Sequence, residues 1–160
     1  MITRKCVIQN DGWIPWIQPV LSANGTFGGT SFAASGSGVI ADGAPAWAAF
    51  DNSTSTRYQI LGRSGYIKWY TPVNIKISSI TITNYSLRGL KDCIVYGSTD
   101  NSNWIQLATY TNTNNTSNAQ WSILVNATNA YKYYKLQWSS IIDGLESAIA
   151  EIDITATYQP

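Results

Sequence analysis

Apolar residues along this chain fall into short alternating runs, with small polar residues between them. Gly65-Tyr66-Ile67-Lys68-Trp69-Tyr70 alternates and stops before Pro72. Ile75, Ile77, Ile80 and Ile82 flank the pair Ser78-Ser79, which predicts one long strand with a bulge or bend at that pair. Further runs are Cys93 to Tyr96, Trp104 to Tyr110, Trp121 to Val125 and Tyr133 to Trp138, with Ile149, Ile152 and Ile154 near the end. Gln18 to Gly38, Ala41 to Pro45 and Asn112 to Asn118 carry Gly, Ser, Asn and Thr and predict loops, the first with at most a short strand. No segment holds a helical period over three turns. Short strands with turn signals between them predict an all-β protein, an antiparallel sandwich or barrel.

Composition narrows the function classes. The 160 residues suffice for one domain with a real core. The net charge of +1 gives no basic field of the kind nucleic-acid binding needs. No apolar run approaches membrane-spanning length. The basic start, Met1 to Cys6, precedes no long apolar region and is not a secretory signal. The chain is then expected to stay in a cytoplasm, to leave by a route other than secretion, or to be a piece of a longer protein. The chain has no histidine, which removes the commonest general base and transition-metal ligand. Nine acidic residues are spread thinly, with no recognisable pair for glycoside hydrolysis, and no Gly-rich phosphate loop occurs. No catalysis is expected. Cys93 sits in an apolar run and is expected to be a buried free thiol rather than a disulfide partner of Cys6.

Two stretches carry candidate chemistry. In Ala46 to Tyr58 an apolar segment runs into the polar loop Asp51-Asn52-Ser53-Thr54-Ser55-Thr56. Asp51, Thr56 and loop carbonyls could hold a hard cation, but short Asp/Ser/Thr loops are common turns, and the loop alone favours an Asx turn that Asp51 closes on nearby amides. Trp13, Pro15 and Trp16 cluster near the N-terminus. They either cover one end of their own core or dock on a partner or second copy, which divides the chain into an arm, 1–17, and a domain, 18–160.

From residue 18 to 158 the order of segments resembles the discoidin family, also called the F5/8 type C domain, and the family 32 carbohydrate-binding modules. The opening Ala-x-x-Ala-Phe-Asp motif of the family is similar to Ala46 to Tyr58, with Asn52 for the usual Gly and Tyr58 for the usual Trp. Gly65-Tyr66-Ile67, the run from Arg88 through Lys91-Asp92 to Trp104, Tyr133-Tyr134-Lys135-Leu136, and Ala148-Ile149-Ala150-Glu151-Ile152 match its later motifs in order. The resemblance implies an antiparallel jelly-roll β-sandwich of about eight strands, with the N- and C-terminal strands adjacent. It implies calcium bound by the side chains of Asp51, Thr56 and Glu151 and the carbonyls of Ala48, Ser53, Thr56 and Ala150. It also implies a glycan ligand at loops on one end. The family's galactose-contacting histidine is missing, so that specific site does not carry over. The remaining candidates are Arg57, Arg63, Asn84, Tyr85 and Arg88. The reading is a non-catalytic, lectin-like module for a cell-surface glycan. Without a secretion signal it fits a bacteriophage virion protein, which leaves its host by lysis. The alternative is a virion decoration or assembly subunit with no sugar ligand. Neither nucleic acid nor membrane insertion is expected.

Overall fold

A computed structural model describes residues 11–160. Ten strands run in chain order: β1 (Ile14–Trp16), β2 (Ala33–Gly36), β3 (Val39–Ile40), β4 (Tyr58–Leu61), β5 (Gly65–Asn84), β6 (Asp92–Ser98), β7 (Ile105–Thr111), β8 (Gln120–Leu124), β9 (Tyr131–Trp138) and β10 (Glu146–Tyr158). One short 3-10 turn covers Ala46–Ala49. All strand pairings between these elements are antiparallel.

β5 organises the sandwich. Its first part, residues 65–70, pairs with β2 and β9, and β9 continues through β6 to β7. Its second part, residues 75–84, pairs with β10 and β8, and β10 continues through β4 to β3. The two runs expected as separate strands are thus one strand passing between two layers. Pro72 is tolerated because it lies where the β5–β9 register breaks, between Tyr70 and Ile75. The expected bulge at Ser78-Ser79 is present: Thr155 faces Ser79 but the next residue, Ala156, faces Ile77. That extra residue keeps Ile75, Ile77, Ile80 and Ile82 all in the core despite the broken alternation.

Inward positions of both layers meet in an aromatic core. Trp69 stacks on Tyr134 with centroids 5.9 Å apart, and Phe50 lies 5.9 Å from Trp69 and 5.3 Å from Phe32. Phe50 arrives there from the 3-10 turn, which also buries Ala46, Ala48 and Ala49. The small residues let the turn sit close under the strands, so the motif that opens the polar loop is itself a plug of the core. A Cβ on Gly65 would meet the Ile60 side chain at 2.5 Å, which accounts for the glycine in Gly65-Tyr66-Ile67. Cys93 is buried, pairs with no cysteine among the described residues, and burial pushes its thiol up to about 12.

Within the segment 1–17, residues 14–16 form β1. β1 pairs with the end of β10, Ile14 opposite Tyr158 and Trp16 opposite Ala156, so the first described strand lies beside the last. Pro15 suits an edge strand because it has no N–H to leave unpaired. Trp16 packs on Phe32 at 5.7 Å, and the Lys76 ammonium sits 4.2 Å from the Trp13 ring centroid. Residues 1–10, with Cys6, lie outside the described residues.

Candidate functional site

Two polar clusters sit against the 3-10 turn. The first joins the residue before β4, the start of β10 and the turn that follows β5. Arg57 lies over Tyr85, 4.6 Å from the ring centroid. Its Nη1 donates to Tyr85 Oη at 3.3 Å, its Nε to Gln59 Oε1, and its Nη2 pairs with Asp42 at 3.3 Å. Gln59 is fully buried and acts as the hub. Its Nε2 donates to Glu146 Oε2 at 2.6 Å, and its Oε1 also accepts from Arg88 Nη1 at 3.3 Å. Arg88 Nη2 closes the ring onto Glu146 at 3.3 Å. Two cations and two carboxylates are thereby paired around one amide, so the cluster is satisfied without a ligand.

Arg57, Tyr85 and Arg88 are therefore brought together, whereas Asn84 and Arg63 join none of these bonds. Asn84 is buried; its amide donates to the carbonyls of Asn114 and Thr116, and its Oδ1 accepts from Trp121 Nε1 at 2.9 Å. It anchors the Asn-rich loop to β5. Arg63 is exposed on the turn between β4 and β5. Gln59, Glu146 and Asp42 were not singled out from the sequence. Gln59 had one signal, a polar residue between Tyr58 and Ile60 in a strand that is otherwise apolar. Beside the cluster a shallow depression is lined by Asp42, Pro45, Trp47, Ser55, Thr56 and Arg57. Trp47, the aromatic residue of the 3-10 turn, is half-buried there.

The second cluster is the polar loop itself. The Ser53 amide donates to Asp51 Oδ1 at 3.0 Å and to Glu151 Oε2 at 3.1 Å, so one N–H draws both carboxylates to one point. Thr56 Oγ1 donates to Asp51 Oδ2 at 2.6 Å and lies 3.1 Å from the Ser53 carbonyl. Asn52 has φ +57°, the left-handed region that Gly enters freely and Asn tolerates, which explains how Asn stands where the family uses Gly. Glu151 is only 5% exposed. Burial above all, then the charges of Asp153 and Asp51, push its carboxyl up to about 7 against the N–H groups of Ser53 and Asn52. The β5–β10 register shifts between Ile149 and Glu151, leaving Ala150 as the extra residue outside that ladder.

The donor set fits a hard cation. Among the described residues no group of three or more His, Cys, Asp or Glu side chains is gathered. Two converging carboxylates, the Thr56 hydroxyl and loop carbonyls are what calcium takes. Ala48, at the close of the 3-10 turn, and Ala150, at the bulge, belong to the two segments that meet here.

No protein-family model matches the sequence, and no curated protein matches it. Solved structures do. The module CpGH89CBM32-5 from Clostridium perfringens, in complex with GalNAc-beta-1,3-galactose, superposes with a TM-score of 0.67 at 15% identity, over 77% of this chain and 94% of that one. The family 32 module of AlyQ, in complex with 4,5-unsaturated mannuronic acid, gives 0.65 at 19% identity, over 80% and 95%. The fold is that of the family 32 carbohydrate-binding modules. A whole family 89 glycoside hydrolase from Clostridium perfringens also matches, with a TM-score of 0.66 at 19% identity. There the chain covers 14% of the enzyme, a module's share of its length. The antiparallel β-sandwich expected from the five ordered motifs is therefore present. At these identities the likeness is one of fold.

Proposed function

We propose that this chain is a non-catalytic carbohydrate-binding module that takes a glycan in the depression between Arg57 and Trp47. The observation that carries the reading is the fixed guanidinium of Arg57. Tyr85, Gln59 and Asp42 hold it from three sides with one N–H each. A guanidinium has five N–H donors, so one remains on each terminal nitrogen for sugar hydroxyls. Trp47 supplies the flat apolar surface that a sugar ring needs, and Asp42 an exposed acceptor. Support comes from the two modules above, whose ligands are a galactose-containing disaccharide and an unsaturated uronic acid.

Calcium is part of the proposal. It would be held by Asp51, Thr56 and Glu151 with carbonyls of Ala48, Ser53, Thr56 and Ala150. It would supply the positive charge that the Asp51–Glu151 pair lacks. Thr56 touches Asp51 and also lines the depression, so the ion would stiffen one wall of the sugar site. A glycan array probed with the protein in calcium and in excess EDTA tests the reading. A defined set of glycans bound by the native chain and lost in Arg57→Ala is expected. An array with no binding, or one that Arg57→Ala leaves unchanged, would overturn it.

A further inference from the structure

Away from the loop end, the outer face of the layer β5–β9–β6 carries a charge arrangement that the fold leaves uncompensated. Lys68 on β5 stands directly opposite Lys135 on β9, and Lys135 stands opposite Tyr96 on β6. Each alternates with buried neighbours, Ile67 and Trp69, Tyr134 and Leu136, Val95 and Gly97, so all three point outward. Like charges directly opposite across a ladder are unfavourable. The Lys135 ammonium lies 4.5 Å from the Tyr96 ring centroid and 4.7 Å from that of Trp104. The Lys68 ammonium lies 5.7 Å from the Tyr66 centroid and donates to Asn101 Oδ1 at 3.3 Å. Neither lysine has an ion pair among the described residues, where the pairs are Arg57 with Asp42 and Arg88 with Glu146. Residues 1–10 contain no Asp or Glu that could supply one. Asp100, next to Asn101, accepts from Ser98, Ser102 and Asn103 and is held within its own turn. Burial and then the Lys68 charge keep Lys135 below the ordinary lysine range.

Aromatic rings hold an ammonium in place without neutralising it. Two ammoniums on facing register positions, with no ion-pair partner among the described residues, leave a positive charge that an anion would neutralise. We propose that this sheet face is a second binding surface, for an acidic glycan whose carboxylate or sulfate groups bridge Lys68 and Lys135 while its rings lie against Tyr66 and Trp104. A nucleic acid is disfavoured, since two lysines on a chain of net charge +1 cannot follow a phosphate backbone.

The test is a 1H–15N titration of the native chain with a hexameric oligouronate, its fully methyl-esterified form, a sulfated galactose hexasaccharide, inorganic phosphate and vesicles containing phosphatidylserine. We expect saturable shifts at residues 66–68, 96, 104 and 135 with the oligouronate or the sulfated hexasaccharide, and no shifts there with the neutral ester. Lys68→Gln/Lys135→Gln should weaken the acidic ligand by about tenfold or more. Because the readout is positional on the native chain, it holds even if the double variant folds poorly. Shifts confined to the loop end, equal binding of the ester, a response to vesicles or phosphate alone, or no response to either acidic saccharide would each overturn the proposal. Failure of the glycan reading at Arg57 would leave the shifts at residues 66–68, 96, 104 and 135 unaffected.

Discussion

Two charged clusters flank the same 3-10 turn and are built on opposite principles. Around Gln59, Arg57 and Arg88 face Asp42 and Glu146, and every charge has a partner. Around Ser53, Asp51 and Glu151 face each other across a single N–H. The first cluster is complete as it stands and presents spare donors to the depression. The second holds a buried carboxylate against another with no cation among the protein's own described groups. A self-neutralised network is suited to recognising an uncharged, hydroxyl-rich ligand, and a convergent carboxylate pair is suited to a metal ion.

The largest effect should come from removing what both clusters share. Phe50→Ala takes a fully buried ring from between Phe32 and Trp69 and should cost about 3–5 kcal/mol, read as a lower denaturation midpoint, with both sites weakened together. Next comes the carboxylate pair. In the fold Glu151 keeps its proton up to about 7, whereas unfolded it releases it near 4.5. Between those values the folded state binds the extra proton, so calcium-free stability should fall as pH rises from about 4.5 to about 7, by on the order of 3 kcal/mol in all. Calcium should abolish that slope by taking the place of the proton, and Glu151→Gln should abolish both the slope and the calcium response. A calcium-free melting temperature that is flat over this range would contradict the account of the cluster.

The paired cluster sharpens the contrast from the other side. Gln59→Leu leaves Glu146 and the two arginines without their hub and should cost about 1–3 kcal/mol, with no change in the calcium response. The smallest effect is expected of Asp42→Ala. Its ion pair with Arg57 is largely exposed on the Asp42 side, so stability should change by less than about 1 kcal/mol while glycan binding falls. Thermal melts of the two variants beside the native chain separate these outcomes.

The strands were legible because alternation is local: Ile67 and Trp69, or Tyr134 and Leu136, declare their face two residues at a time. The bulge at Ser78-Ser79 was legible from the same alternation breaking and resuming. The passage of β5 between layers was not, because Pro72 reads as a stop and only the register with β9 shows that the chain continues. Arg57, Tyr85 and Arg88 could be placed near one end from their loops, but their meeting point is Gln59, whose role depends on burial between distant segments. Asn84 looked like a loop ligand because it follows a strand, and its burial under the Asn-rich loop arises from contacts about thirty residues away. The lysine pair on the outer sheet face was invisible for a similar reason, since Lys68 and Lys135 become neighbours only through strand register.

The most direct measurement is an NMR titration of the calcium-loaded protein with its strongest array glycan, following the Arg57 Nε–H and Trp47 Nε1–H signals. The account predicts that both move together and saturate, with the Arg88 signal following through Gln59. Saturable binding that leaves the Arg57 and Trp47 signals in place would contradict it.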